Sequence, residues 1–153
     1  MFPAIITICV FISMEAVTWL THKFLMHGFL WNLHRDHHKK DHDSFLERND
    51  YFFVIFAIPS IILFAIGNAN PHVWYLFYVA LGITIYGFAY FMVHEIFIHQ
   101  RFKLFTRTDN IYFRAIRKAH KVHHKHLGKE EGECFGMLMV PFKYFREAKK
   151  SGK

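Results

Sequence analysis

Three long apolar runs divide this chain of 153 residues, and polar, histidine-rich segments separate them. The runs cover residues 3–21, 51–67 and 72–93. A helix needs about 20 apolar residues to cross the hydrocarbon core of a bilayer, which is about 30 Å thick. The pattern therefore predicts an all-α integral membrane protein with three spanning helices. The apolar stretch 134–142 is too short to cross, so a fourth helix there would be short and re-entrant.

The positive charges follow the same division. The chain has a formal net charge of +7, yet residues 1–22 and 49–100 contain neither lysine nor arginine. Basic residues concentrate on the cytoplasmic side of inner-membrane proteins, so 23–48 and 101–153 are expected to face the cytoplasm. The charge then indicates contact with anionic lipid headgroups, and nucleic acid is not an expected partner.

This length and this order of segments predict one domain, 1–153, that crosses the cell's inner membrane several times. Two histidine-bearing segments, 22–48 and 94–142, would form a helical cap on the cytoplasmic side. The basic tail, 143–153, is expected to lie at the lipid surface and to have no catalytic role.

Ten of the thirteen histidines form four clusters at the cytoplasmic ends of the predicted spans. Neutral imidazole is the commonest side-chain ligand for transition metals, and ten are too many for one ion. The sequence therefore predicts a pair of metal ions. The predicted ligands are His22, His27, His34, His37, His38, His94, His99, His120, His123 and His124.

The spacing of the histidines differs between clusters. Each HxxHH triplet spans an arc of about 100° on a helix, so it can anchor one metal ion and reach toward a second. The pairs His22/His27 and His94/His99 are five residues apart, which is about 140° on a regular helix. Either the members of a pair bind different ions, or the helix frays or bulges between them. His42 and His126 extend the triplets and are expected to be solvated.

The types of side chain in the clusters narrow the choice of metal. All-imidazole ligation fits zinc, copper, iron or nickel, and the Glu-x-x-His pattern of soluble di-iron bundles is absent. A bilayer-dissolved substrate with no carbonyl or phosphate group gives zinc nothing to polarise, whereas iron with dioxygen attacks C–H bonds. This chemistry favours iron over zinc, and hydrogen abstraction from carbon needs no catalytic side chain beyond the metal ligands.

Glu15 is a carboxyl group inside the first predicted span, where ionisable groups are costly and commonly functional. It precedes His22 by seven residues and so lies on nearly the same helix face. Two interpretations stay open. Glu15 is either an acceptor for a ligand imidazole or a protonated group bonded to Thr84 or a tyrosine.

The motifs HKFLMHG, HRDHH, HEIFIHQR and HKVHH, with Asn49–Asp50 before the second span, resemble the bacterial β-carotene hydroxylases. These belong to the fatty-acid hydroxylase/sterol desaturase superfamily of membrane di-iron enzymes. The resemblance covers residues 15–142. It implies a monooxygenase that hydroxylates C3 of β-ionone rings, from β-carotene through β-cryptoxanthin to zeaxanthin.

The resemblance also implies the cofactors and the site. It implies two non-haem iron ions held by the ten histidines, dioxygen as co-substrate and electrons from reduced ferredoxin. Glu95–Ile96 stands where many members have Asp–Gly, so Glu95 is a second candidate to support a ligand. Tyr86, Tyr90 and Phe91 are candidates to line the carotenoid pocket, with ordinary helix packing as the alternative.

Three other functions fit parts of the sequence. A related hydroxylase or ketolase would act on a sterol, a fatty acid or carotenoid C4. A bis-histidine haem protein for electron transfer would need ligands that face each other within the spans, but these histidines lie at the span ends. A metal transporter would carry more polar residues through the middle of its helices.

Overall fold

The computed structural model describes residues 1–40 and 43–150, and every regular element within these ranges is helical. The α-helices are α1 (Phe2–Leu20), α2 (Trp31–His38), α3 (Tyr51–Ala69), α4 (Tyr75–Phe91), α5 (Ile111–His123) and α6 (Phe142–Lys150). A π-helical segment, Thr21–Phe29, continues α1, and another, Met92–Ile98, continues α4. The predicted all-α fold class is confirmed.

Three helical stretches are long and apolar enough to cross a membrane. They are Phe2–Phe29, Arg48–Ala69 and Tyr75–Ile98. Large apolar side chains cover their outer surfaces, as at Ile12 and Phe88, which are 62% and 64% exposed. A surface of this kind is stable against lipid rather than water. The predicted three spans are therefore confirmed.

The spans pack closely because small and hydroxyl-bearing residues lie between them. α4 contacts both α1 and α3. A Cβ added to Gly82 of α4 would lie 2.8 Å from the carbonyl oxygen of Thr7 in α1. Ser60 of α3 donates a hydrogen bond to the Ala80 carbonyl at 3.1 Å and lies 2.9 Å from the Thr84 hydroxyl. Such contacts hold helices together in lipid, where the hydrophobic effect does not drive helix association.

Helices α2, α5 and α6 form a cap over one end of the spans. α5 packs against α6 through a small core of Ala115, Ala119, Tyr144 and Ala148. The described part of the predicted basic tail, 143–150, lies entirely in α6. Residues 133–141 have no regular secondary structure, so the fourth, re-entrant helix considered over 134–142 is not a helix in the structure.

Candidate metal centre

All ten predicted histidines lie in two groups of five. Cluster A contains His22, His27, His34, His38 and His123, and cluster B contains His37, His94, His99, His120 and His124. Within each cluster, one ring nitrogen per residue lies within 4.8 Å of all the others. The clusters adjoin each other, since the rings of His38 and His124 stack with centroids 4.4 Å apart.

The two π-helical segments explain how histidines five residues apart reach one cluster. In such a segment each N–H bonds to the carbonyl five residues back, which brings residues i and i+5 to nearly the same face. The His99 N–H donates to the His94 carbonyl at 2.9 Å in this way. His94 and His99 therefore both enter cluster B, and His22 and His27 both enter cluster A. Of the two alternatives from the sequence, the structure has the bulged helix.

Each HxxHH triplet divides between the two clusters. In α2, His34 and His38 lie four residues apart on one face and enter cluster A, while His37 enters cluster B. In α5 the assignment is reversed: the pair four residues apart enters cluster B, and His123 enters cluster A. Each triplet therefore reaches both clusters.

Neutral oxygen atoms orient every imidazole of cluster A. Each Nδ1 atom donates a hydrogen bond to a backbone carbonyl or, for one ring, to a side-chain amide. The pairs are His22 to Phe135 (3.0 Å), His27 to Lys129 (3.0 Å), His38 to His126 (3.0 Å), His123 to Glu133 (2.8 Å) and His34 to the Oδ1 atom of Asn49 (2.7 Å). These acceptors fix the tautomer, so each Nε2 atom carries a lone pair.

Carboxylates orient two imidazoles of cluster B. The Nδ1 atom of His94 donates to Oε1 of Glu95 at 2.6 Å, and that of His37 donates to Oε2 of Glu47 at 2.7 Å. A carboxylate partner makes the imidazole a stronger ligand than a carbonyl partner does. The two clusters therefore differ in their electrostatic surroundings.

Arg101 links the acidic groups beside cluster B. Its guanidinium lies 3.1 Å from Oε2 of Glu95, 2.9 Å from Oδ1 of Asp50 and 3.5 Å from Oε2 of Glu47. Glu47 and Arg101 were not among the predicted site residues. A signal for Arg101 was present, since Asn49–Asp50 and the HQR sequence both belong to the motifs of the resemblance.

The ring nitrogens converge in a way that fits metal ions. The Nε2 atoms of His22 and His34, and those of His37 and His94, lie 3.1 Å apart although the Nδ1 atoms carry the protons. Two lone pairs at that distance repel unless a cation lies between them. Two nitrogens bound to one ion at about 2.1 Å, at right angles, lie about 3.0 Å apart. The buried Nε2 atom of His124 also has no hydrogen-bond partner among the described residues.

Burial keeps the histidines outside the spans in the neutral form that binds a metal ion. Loss of solvation, together with neighbouring imidazoles, lowers the pKa of His38 to about 4 and that of His99 to about 3. The pKa of His37 and that of His120 lie well below the usual value for the same two reasons. These rings are therefore neutral at pH 7, which metal binding requires.

An apolar cavity of about 440 Å³ lies between the three spans, and residues that line it contact one ring of each cluster. Its lining includes Met14, Thr18, Phe52, Phe56, Tyr86 and Tyr90. The Tyr90 ring lies 4.8 Å from the His94 ring, and the Phe52 ring lies 6.4 Å from the His34 ring. Of the predicted pocket residues, Tyr86 and Tyr90 line this cavity, while Phe91 packs against the lining residue Phe53.

Comparison with known proteins identifies the family of this chain. Residues 7–144 match the family model described as fatty acid hydroxylase. The chain belongs to the fatty acid hydroxylase family. This membership confirms the predicted family and the predicted class of enzyme, an oxygen-dependent hydroxylating oxidoreductase.

Named relatives of this family member come from bacteria and plants. A beta-carotene hydroxylase of Paracoccus sp. (strain PC1) is 35% identical over 97% of this chain and 91% of its own length. That of Pantoea ananas is 38% identical over 90% of this chain and 77% of its own. A chloroplastic beta-carotene 3-hydroxylase of Gentiana lutea is 36% identical over 85% of this chain but 40% of its own. No solved structure matches the chain.

Glu15 of this hydroxylase contacts groups other than an imidazole. Its carboxylate accepts hydrogen bonds from the Tyr86 hydroxyl at 2.6 Å and from the backbone N–H groups of residues 137–139. Thr84 instead bonds to Ser60. A tyrosine is thus one of its partners, as one of the two interpretations from the sequence supposed, and the backbone amides are partners that the sequence did not suggest.

The three remaining histidines lie outside both clusters or outside the described residues. His126 offers its backbone carbonyl to His38, and His72 is exposed in the turn Pro71–Val73. His42 falls outside the residues that the structure describes.

Proposed function

We propose that this chain is a membrane di-iron monooxygenase that hydroxylates C3 of carotenoid β-ionone rings, converting β-carotene through β-cryptoxanthin to zeaxanthin. The names of the relatives, beta-carotene hydroxylase and beta-carotene 3-hydroxylase, support the substrate and the position. The observation that carries the proposal is the apolar cavity, whose lining residues Phe52 and Tyr90 contact rings of the two five-imidazole clusters.

The ten histidines would hold the two iron ions, five in each cluster. When bound, the ions supply the redox chemistry that activates dioxygen for insertion into a C–H bond. The protein fixes seven of the ten imidazoles through their Nδ1 partners, so these rings do not have to reorient when a metal ion binds. No side-chain acid or base is needed for hydrogen abstraction from carbon.

The cavity would hold one end ring of the substrate against the clusters. Its walls are apolar and aromatic, which suits a hydrocarbon ring and excludes water. Its polar residues Ser60 and Thr84 bond to each other. Among the described residues that line it, none is basic, so a fatty-acid carboxylate would find no counter-ion. This lining favours a carotenoid over a fatty acid.

The electron donor would approach cluster B from the cytoplasm. A polar cleft of about 480 Å³ reaches His99 and His124 and is lined also by Lys40, Arg101 and Lys121. The distribution of lysine and arginine supports a cytoplasmic position for this end. Basic side chains beside the cleft suit an acidic donor protein of the ferredoxin type.

Expression in a β-carotene-producing bacterium tests the proposal. Chromatography of the pigments should show β-cryptoxanthin and zeaxanthin, and metal analysis of the purified protein should give two iron ions per chain. His123→Ala should remove both products, while His72→Ala, at the other end of the spans, should retain them. A C4-ketolated pigment would favour the ketolase alternative, and a Soret band in the purified protein would favour the haem alternative.

A further inference from the structure

Glu15 binds a distant part of the chain through one carboxylate. Its Oε1 atom accepts hydrogen bonds from three consecutive backbone N–H groups: Met137 at 2.8 Å, Leu138 at 3.0 Å and Met139 at 2.9 Å. Oε2 accepts the Tyr86 hydroxyl at 2.6 Å. Every one of these partners is a donor, so the carboxylate acts as an acceptor toward all of them.

These three amides need such an acceptor. Residues 133–141 have no regular secondary structure, and they lie against α1, which is a spanning helix. Met137 is buried, while Met139 is 71% exposed and apolar, as expected for a segment in contact with lipid. A backbone N–H without a partner is costly in an apolar setting. Glu15 therefore supplies the acceptors that a helix would supply from its own backbone.

The same segment orients cluster A. The carbonyl of Glu133 accepts the Nδ1–H of His123 at 2.8 Å, and that of Phe135 accepts the Nδ1–H of His22 at 3.0 Å. The Phe135 ring also packs against the His27 ring, with centroids 5.2 Å apart. Phe135 is two residues before the first amide that Glu15 holds, so displacement of residues 137–139 moves these carbonyls.

Gly136 shows how closely the carboxylate and the segment fit. A Cβ at this position would lie 3.0 Å from Oε1 of Glu15 and 2.7 Å from the Met139 carbonyl oxygen. An alanine there would push the segment away from the carboxylate. The contact can therefore be disturbed from either side.

Cluster B has different supports. Glu95 and Glu47 orient its imidazoles, and Arg101 joins these carboxylates. Among the described hydrogen bonds, residues 133–139 supply none to a ring of cluster B. Loss of the Glu15 contact should thus act on one cluster and spare the other.

We propose that Glu15 is a positioning residue for cluster A: through residues 137–139 it fixes the carbonyls of Glu133 and Phe135, and these fix the metal-binding rings of His123 and His22. The inference rests on the proposed function, because it takes each cluster to bind one metal ion.

Cobalt titration of the whole chain in lipid nanodiscs tests the inference. Wild-type protein is first freed of metal with a chelator. It should then bind two Co²⁺ ions per chain, and the visible absorption of the bound ion measures the binding. Loss of an outer hydrogen-bond partner typically weakens metal binding by about 10–100-fold. Glu15→Gln should weaken the binding of one ion by that factor and leave the other ion bound with wild-type affinity.

Two backgrounds show which cluster responds. In His94→Ala, where only cluster A is intact, Glu15→Gln should weaken the remaining strong site by about 10–100-fold. In His123→Ala, where only cluster B is intact, the same substitution should leave the affinity unchanged. Gly136→Ala should repeat this pattern from the other side of the contact. Tyr86→Phe removes one hydrogen bond but keeps the three amides, so it should bind both ions normally.

The outcomes separate the inference from the proposed function. Wild-type protein that binds no Co²⁺ would overturn the metal centre itself, and the inference with it. If wild-type protein binds two ions and Glu15→Gln binds both with the same affinities, the inference alone is overturned. Equal weakening in both backgrounds would also overturn it, since this would indicate a general loss of folding.

Discussion

Replacement of Glu95 by glutamine removes one charge from the support of cluster B. Glu95 is 1% exposed, its Oε1 atom accepts the Nδ1–H of His94 at 2.6 Å, and its Oε2 atom lies 3.1 Å from Nε of Arg101. Glutamine has nearly the same shape and can still accept the imidazole proton. The change is therefore in charge and much less in packing.

The size of the effect follows from these contacts. A hydrogen bond to a charged group contributes about 1.5–3 kcal/mol, against about 0.5–1.5 kcal/mol for a neutral one. The His94 ring should thus lose about 1–2 kcal/mol of ligand strength, which is roughly a 5–30-fold loss of metal affinity. Arg101 keeps its ion pair with Asp50 at 2.9 Å, so the fold should persist.

The assay is competition for Co²⁺ against a chelator of known affinity, with the two ions of each chain resolved. In Glu95→Gln the dissociation constant of the cluster B ion should rise by roughly 5–30-fold, so a weaker chelator removes this ion. The dissociation constant of the cluster A ion should stay unchanged. Glu95→Asp keeps the charge and serves as the matched control, with a smaller loss expected. Wild-type affinity at both sites in Glu95→Gln would refute the role assigned to the carboxylate.

Three further predictions follow from the packing, the metal centre and a thiol. Gly82→Val should destabilise the spans by about 1–3 kcal/mol, because its side chain meets the Thr7 carbonyl, whereas Gly87→Ala meets no atom within 4 Å and should leave thermal unfolding unchanged; equal melting of the two variants would contradict this packing. Removal of metal should lower the unfolding temperature, since saturation at 100 times the dissociation constant contributes about 2.7 kcal/mol for each ion, and identical melting with and without metal would contradict the metal centre. Burial raises the pKa of Cys134, so in a Cys9→Ser background a maleimide should label it more slowly at pH 7 than a free cysteine peptide, with the rate still rising above pH 9; a rate equal to the peptide's would contradict the burial.

Much of the architecture was predictable because lipid makes simple demands on a sequence. A span must be apolar for about 20 residues, so residues 3–21, 51–67 and 72–93 stand out from their composition. The ten histidines were recognisable as one set because they cluster at the ends of these runs. The third span begins slightly later than 72 because Pro71–Val73 forms a separate turn, with the Asn70 side chain bonded to the His72 N–H.

The division of the histidines between two clusters was not predictable from helical spacing. A regular helix places residues five apart about 140° from each other, and only the hydrogen bonding of the two π-helical segments brings them together. Local sequence does not specify that bonding. In Thr21–Phe29 tertiary contacts favour it, because His22 donates to the Phe135 carbonyl and His27 donates to the Lys129 carbonyl.

The partners of Glu15 and the role of Glu47 were missed for a related reason. Glu15 meets amides that lie 122 to 124 residues further along the chain. Such a contact leaves no periodic signal, and its donors are backbone groups that every residue possesses. Glu47 is one of several charged residues in its segment, and its selection depends on the position of His37 in α2.

Both clusters take ligands from the beginning and from the end of the chain. Cluster A combines residues before 39 with His123, and cluster B combines His37 with residues up to His124. During synthesis, therefore, neither five-ligand set exists until α5 has left the ribosome and folded back over the inserted spans. A nascent or truncated chain that lacks α5 therefore contains neither complete cluster.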